Sequence, residues 1–161
     1  MALGVVLEVF DLTAAVMASI LVMFVYIELG SPYTWLVWLT TSLLAFVLYP
    51  GSLMWLVYLT IFGIYPILKG YIERLPRPWW LILKLVFLNT MLTLLVLLSK
   101  PIFGLPFFGE VEAFGIIPVE VVYCAMWLVM NVAFLLYDRL IIVMLAFYEY
   151  KIRPKIKSFL K

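Results

Sequence analysis

Charged side chains set among long apolar runs are the clearest candidates for a functional role in this chain. Lys69 and Arg74 lie between two such runs, and Lys84 stands inside the second. Asp138 and Arg139 interrupt the last run. A charge within or beside hydrocarbon is costly and is a functional candidate for that reason. The pattern predicts that these residues form a charge latch, with solvated Asp138 and Arg139 as the alternative.

Lys84 has two interpretations. It lies about one and a half helical turns past Trp79, close enough for its stem to reach polar headgroups at a membrane surface. This snorkelling is the favoured interpretation. A salt bridge with Asp138 or Glu73 is the alternative.

Uncharged polar side chains form a second group of candidates. Asn89 and Thr93 give the fourth apolar run a polar stripe, and Asn131 shares a helical face with Asp138. An Asn in hydrocarbon needs a hydrogen-bond partner, which another helix usually supplies. Asn89, Thr93, Asn131 and Glu120 are the candidate ligand-binding residues, although helix-to-helix bonding is favoured for the asparagines.

The first apolar run carries small and acidic residues at helical spacing. Ala14 and Ala18 belong to a small-residue face that lets another helix approach closely. That helix belongs either to this chain, which is favoured, or to a docked partner protein. Glu8 and Asp11 share a face near one end of the run. They could attract a cationic ligand, although a solvated helix end is commoner.

The composition disfavours several kinds of chemistry. The chain has no histidine, which removes the commonest general base and the commonest metal ligand. Its one cysteine, Cys124, has no partner for a disulfide or a metal knuckle. The net charge of +2, without a basic patch, argues against a nucleic-acid partner. We therefore predict no enzyme, no catalytic residue, no metal site and no cofactor.

The elements that must position these residues are membrane helices. Of the 161 residues, 68% are hydrophobic and 12% are charged, against about 45–50% and about 25% in soluble domains. So small a globule could not bury this apolar surface, so the solvent must be lipid. We predict a single all-α transmembrane domain. Its predicted parts are spans at 12–27, 34–49, 52–68, 79–98 and 119–137, a helical continuation at 138–150, and a basic tail at 151–161.

Orientation follows from the Lys and Arg residues of the short connections. The connection at 69–78 and the tail at 151–161 are basic, so both are predicted to be cytoplasmic. Alternation then places Pro50, the N-terminal acids and the segment 99–118 outside. That segment is rich in Pro and Gly and is predicted to be a re-entrant or interfacial loop.

The N-terminal stretch at 2–10 is an apolar stub, too short to cross a membrane by itself. It has the character of the end of a helix whose beginning is missing. We therefore expect five clear spans, with a sixth before them that is truncated or missing.

The chain resembles a family of small multispanning membrane proteins from clostridia and related Gram-positive bacteria. The resemblance rests on FGIYPILKGYIERL at 62–75, LILKLVFLN at 81–89 and NVAFLLYDRLIIVMLAFYEYKIRPKI at 131–156. It extends to LEVFDLTAAVMASILVMFVYIELG at 7–30 and so covers nearly the whole chain. Family members usually have one more N-terminal helix, and their six-span layout looks like the substrate-binding (S) components of energy-coupling factor transporters. By that resemblance, Ala14 and Ala18 would form a docking face for a partner protein.

Two functions follow as hypotheses for this protein of the bacterial cell membrane. The leading one is a solute-capturing transporter subunit, which binds its ligand from outside, near the 100–118 loop, and docks on a membrane ATPase module. The rival is a structural or scaffolding protein of the cell envelope, whose basic tail binds anionic lipid or a cytoplasmic partner. The identity of a ligand and the oligomeric state do not follow from the sequence.

Overall fold

Apolar helices make up nearly all of the part of the chain that the structure describes. The structure, a computed structural model, describes residues 2–48, 50, 52–104 and 118–154. Its helices are α1 (Ala2–Leu29), α2 (Ser31–Leu48), α3 (Leu53–Val57), α4 (Tyr65–Ile72), α5 (Arg77–Phe103) and α6 (Val119–Phe147). A first π-helical turn (Tyr58–Phe62) lies between α3 and α4, and a second (Tyr148–Ile152) extends α6.

Five segments of the described chain are long and apolar enough to cross a membrane. They are Phe10–Leu29, Ser31–Leu48, Leu53–Ile72, Arg77–Ser99 and Val119–Ile152. A backbone in lipid must satisfy its own N–H and C=O groups, and a helix does this within one segment. Large apolar side chains such as Leu36, Val47 and Leu97 face outward, as a lipid-facing surface requires. The predicted all-α, multi-pass membrane class is confirmed.

The N-terminal stub belongs to the first span. Ala2–Leu29 form one helix, and no Pro or Gly interrupts the sequence between Val5 and Leu29. The stub is therefore continuous with the first span in one helix, and the expectation of a further span before it stays a prediction.

A single residue, Gly30, reverses the chain between α1 and α2. Its φ angle of +86° lies in the left-handed region that favours glycine. The Gly30 carbonyl accepts a hydrogen bond from the Thr34 hydroxyl at 2.8 Å, and Pro32 lies in the first turn of α2, where its missing N–H costs nothing. The connection between the first two helices, predicted at 30–33, therefore consists of one residue, Gly30.

The third segment, Leu53–Ile72, is the centre of the bundle. Half of it is buried, against 11–28% of the other four segments. The core cluster draws on α1, α5 and α6 around this segment, with Tyr65, Leu95 and Ile141 among its most buried side chains. The segment α2 lies at the periphery, where it packs on α1 and on the third segment.

The first π-helical turn gives the third segment an irregular shape. The Gly63 N–H donates to the Tyr58 carbonyl at 2.7 Å, one residue further back than in an α-helix. The Leu59 carbonyl, which an α-helical Gly63 would have used, accepts from Trp38 Nε1 on α2 at 3.2 Å. A Cβ on Gly63 would lie 2.4 Å from Trp38 Cδ1. Gly63 therefore allows α2 to approach the turn.

The ends of α5 and α6 differ from the predicted boundaries. The helix α5 continues through Pro101 to Phe103, so the first part of the predicted 99–118 loop is helical, and residues 105–117 lie outside the described residues. The helix α6 runs unbroken through Asp138 and Arg139. With the second π-helical turn it forms a segment of 34 residues, about 51 Å long at ~1.5 Å per residue. Most of the predicted basic tail, 155–161, also lies outside the described residues.

Candidate functional site

Four charged side chains and one tyrosine meet where α4, α5 and α6 pack together. Lys69 Nζ lies 2.6 Å from Glu73 Oε1 and also pairs with Asp138 Oδ1. Lys84 Nζ lies 3.1 Å from Glu73 Oε1 and 2.9 Å from Asp138 Oδ2. The Tyr65 hydroxyl donates to Asp138 Oδ1 at 2.5 Å. These five residues are called the charge cluster below.

Four of the five residues of the charge cluster are buried, the Glu73 side chain is 27% exposed, and the charges balance. Lys69 and Tyr65 are fully buried, Lys84 is 4% exposed and Asp138 is 7% exposed. Each of the two lysines contacts both acids, so the cluster has two positive and two negative charges. A buried charge is tolerated only when it is paired and hydrogen-bonded. The cluster therefore joins three helices without leaving a bare charge in the bundle.

The environment of the Lys84 side chain differs from the one expected from the sequence. The favoured interpretation was snorkelling to the headgroups, but its ammonium group is buried between two carboxylates. The physical reason is the packing of α5 against α4 and α6, which turns Lys84 toward the protein and brings counter-ions within reach. The alternative that was left open, pairing with Asp138 and Glu73, is the arrangement observed.

Two arginines of the predicted latch lie outside the charge cluster. Arg74 Nη2 donates to the Tyr26 hydroxyl at 3.1 Å, and the Arg74 guanidinium lies 5.4 Å from the centre of the Tyr71 ring. The Arg139 side chain is exposed. The cluster thus contains the two lysines and the aspartate of the predicted latch, and a glutamate and a tyrosine join them in place of the arginines.

The two candidate asparagines bond to each other across α5 and α6. Asn89 Nδ2 donates to Asn131 Oδ1 at 2.9 Å, and Trp127 Nε1 donates to Asn89 Oδ1 at 2.6 Å. Asn131 Nδ2 donates to the Trp127 carbonyl at 2.9 Å. This group, called the polar clamp below, is the helix-to-helix bonding favoured for these residues.

The other two candidates of the ligand-binding set are placed differently. Thr93 is exposed, and its hydroxyl donates to the Asn89 carbonyl one turn earlier at 2.8 Å. Glu120 is exposed in the first turn of α6, about 17 Å along the helix from Asn131 at ~1.5 Å per residue. The structure thus brings three of the four residues together and leaves Glu120 apart.

The small-residue face of α1 is divided between packing and a cleft. Ser19 is fully buried and its hydroxyl accepts from the Tyr137 hydroxyl at 2.7 Å, which joins α1 to α6. Ala15 is 7% exposed. Ala14 and Ala18, the two residues expected to dock a partner, line a cleft within this chain.

That cleft lies between α1, α2 and α3 and has a volume of about 200 Å³. Alanines form much of the wall of the cleft. Among the described residues, Asp11 is the only charged residue that lines it. The lining residues are Asp11, Ala14, Ala15, Ala18, Thr41, Ala45, Ser52, Met54, Trp55 and Tyr58. We call this the α1–α3 cleft.

Tyr58 is the unusual residue of the α1–α3 cleft. It is 4% exposed, and its buried hydroxyl has no hydrogen-bond partner within the described part of the chain. Thr41 lies beside it, and the Thr41 hydroxyl, which donates to the Val37 carbonyl on its own helix, keeps a lone pair that can accept from Tyr58. The Tyr58 hydroxyl can therefore bond either to Thr41 or to a bound molecule.

Sequence reasoning missed Thr41 and Tyr58 as site residues, although a signal existed. The two residues lie at similar distances on either side of Pro50, in a helical hairpin. Antiparallel helices place such positions at a similar depth. Neither residue stands out by itself, because Thr and Tyr are common in membrane helices.

No group of three or more acidic or thiol side chains that could hold a metal ion occurs among the described residues. Comparison of the chain with protein-family models, with curated proteins and with solved structures gives no match. Its function must therefore be argued from the charge cluster, the polar clamp and the α1–α3 cleft.

Proposed function

We propose that this protein is a solute-binding subunit of a membrane transporter and that the α1–α3 cleft holds the solute. The observation that carries the proposal is the cleft itself, a cavity of about 200 Å³ between three helices whose apolar wall carries a few polar side chains, Asp11, Thr41, Ser52 and Tyr58. A mostly apolar cavity with a few convergent polar groups is the usual form of a small-molecule site. A solute with a donor or acceptor group would bond to these side chains on binding.

The position of the α1–α3 cleft supports capture from outside. Asp11 and Ser52 line it, close to the connection at Pro50 that the charge distribution predicts to be external. The charge cluster lies toward the other end of the third segment, beside the basic 69–78 connection. One end of the bundle thus offers an open cleft, and the other is held together by buried ion pairs.

The energy for transport would come from a partner. The chain has no histidine, and the buried acid of the charge cluster, Asp138, is bonded to two lysines, so it is committed to structure and does not form part of a proton relay. We therefore propose docking on a membrane ATPase module, with the C-terminus cytoplasmic. This agrees with the layout implied by the resemblance to S components.

The proposal is tested by a substitution that places a larger side chain in the α1–α3 cleft, followed by a measurement of solute binding. Ala18→Leu adds a bulky side chain to the lining, and Ala133→Leu makes the same change at an exposed position of α6. Native mass spectrometry would follow adducts of the purified full chain with a panel of vitamins, amines and small carboxylates. We expect one solute to bind the unmodified chain and Ala133→Leu, and to bind Ala18→Leu at least about tenfold more weakly.

Two results would contradict this proposal. One is the absence of any adduct with the unmodified chain, together with recovery of envelope proteins alone in affinity purification, which would favour the scaffolding hypothesis. The other is undiminished solute binding by Ala18→Leu with loss of a co-purified ATPase, which would make the alanine face a docking surface.

A further inference from the structure

We infer that the α1–α3 cleft selects a small organic cation, a protonated amine attached to a compact apolar or aromatic group. This inference rests on the proposed function and adds the chemical class of the solute. It follows from the charge, the aromatic rings and the size of the lining, taken in turn below.

The charge of the α1–α3 cleft is negative. Asp11 is its one charged lining residue among the described residues, and no lysine or arginine lines it there. The lysines nearest the bundle core, Lys69 and Lys84, are bonded to Glu73 and Asp138 and belong to the charge cluster. An anionic solute would therefore meet a carboxylate without a compensating cation, whereas an ammonium group would gain a charge-assisted hydrogen bond.

Two aromatic side chains favour a cation further. Trp55 and Tyr58 both line the α1–α3 cleft. The Trp55 ring is held in place, since its Nε1 donates to the Pro50 carbonyl at 3.3 Å and the ring packs edge-to-face on Phe46 with centroids 5.0 Å apart. A cation placed over a fixed indole or phenol face is attracted by the ring quadrupole.

The remaining lining sets the size and polarity of the apolar part. Four alanines, Ala14, Ala15, Ala18 and Ala45, leave room beside the rings without adding polar groups. The volume of about 200 Å³ is below the roughly 300–1,000 Å³ of pockets for drug-sized ligands. The Tyr58 hydroxyl supplies one further hydrogen bond at the buried side. A single ring or short chain with one amine fits these limits.

The experiment compares three probes of matched shape: 2-phenylethylamine, 2-phenylethanol and phenylacetate. Binding to the full chain in lipid nanodiscs would be measured by isothermal titration calorimetry. We expect the amine to bind about tenfold or more tightly than the alcohol, and phenylacetate to bind most weakly. This comparison uses the unmodified chain and so does not depend on a variant that folds.

Variants then assign the preference to a residue. Asp11→Asn is expected to reduce binding of the amine to the level of the alcohol. Glu120→Gln removes an exposed acid that does not line the cleft and should leave binding unchanged. Tyr58→Phe keeps the ring and removes the hydroxyl, and a loss of about three- to tenfold is expected for the amine.

The outcomes separate this inference from the proposed function. Equal binding of all three probes, unaffected by Asp11→Asn, would overturn the selection of cations while solute capture stands. The same holds if none of the probes binds but an uncharged or anionic solute does so in a manner sensitive to Ala18→Leu. If no solute binds at all, both proposals fall.

Discussion

At the scale of single residues, Asp138 is the carboxylate that joins α6 to α4 and α5. Its carboxylate accepts hydrogen bonds from Tyr65, Lys69 and Lys84, which come from α4 and α5. The neighbouring Arg139 is exposed. Two adjacent charged residues of α6 therefore have opposite environments, because consecutive helical positions are rotated by about 100° around the axis.

Asp138→Asn should destabilise the protein strongly. It leaves two buried ammonium groups with Glu73 as their only carboxylate in the charge cluster, and removal of one partner of a buried ion pair costs about 3–5 kcal/mol. The free energy of unfolding, measured by denaturant titration in detergent micelles, should fall by that amount. Arg139→Gln, the exposed neighbour, should change it by less than about 0.5 kcal/mol.

A double variant distinguishes a charge effect from a shape effect. Asp138→Asn combined with Lys84→Met removes one charge of each sign, so part of the lost stability should return. Full stability of Asp138→Asn alone would show that the charge cluster does not hold the helices together.

At the scale of elements, the first π-helical turn links the core to the α1–α3 cleft. It begins at Tyr58, a lining residue of the cleft, and ends beside Gly63, against which Trp38 packs. The Trp38 indole caps the Leu59 carbonyl. π-helical turns are rare and frequently lie at functional sites, and this one contains Tyr58, which lines the cleft.

Gly63→Ala tests the packing of this turn. A Gly→Ala change inside a helix normally stabilises it by about 0.5–1 kcal/mol, but here the new Cβ would lie 2.4 Å from Trp38 Cδ1. We expect a loss of about 1–3 kcal/mol in the free energy of unfolding, as for an overpacked core. The measurement is the same denaturant titration.

The control for Gly63→Ala is made in a Trp38→Leu background. There the smaller side chain removes the close contact, so Gly63→Ala should become neutral or stabilising. If Gly63→Ala costs the same in both backgrounds, Trp38 is not the cause.

At the scale of the whole molecule, polar groups divide unequally between the two ends of the bundle. One end carries the charge cluster, the Arg74–Tyr26 hydrogen bond and the 2.9 Å contact of Arg153 with Glu28. The other end carries the α1–α3 cleft. With about 51 Å of length at ~1.5 Å per residue, the 34-residue α6 segment exceeds a hydrocarbon core of about 30 Å, so part of it must lie outside that core or be tilted.

Cysteine labelling in intact cells tests the predicted orientation. The chain has one cysteine, so Cys124→Ser gives a cysteine-free background in which Pro50→Cys and Leu75→Cys are compared. Both positions are exposed in the structure. A membrane-impermeant maleimide should label Pro50→Cys at once, because its connection is predicted to be external. Leu75→Cys should react only after the cells are permeabilised, and the reverse pattern would invert the topology.

The sequence by itself determined the class of this protein and the number of clear spans. Apolar length and composition suffice for that, because a lipid solvent imposes helices on any chain that crosses it. It also indicated that Asn89 would bond to another helix, and it offered a latch between Asp138 and the 69–77 connection and a salt bridge of Lys84 as alternatives. The positions of the helix ends were predicted less accurately from local sequence. The connection between α1 and α2 is the single residue Gly30, and α6 continues without a break through Asp138.

Only the tertiary structure decided which side chains meet. A linear pattern sets the depth of a residue along a helix, but the rotation of that helix and the identity of its neighbours depend on packing over the whole bundle. For this reason Lys84 bonds to acids instead of reaching headgroups, and Glu73 replaces Arg74 in the charge cluster. For the same reason Asp11 and Tyr58, 47 positions apart in the sequence, line a single cleft.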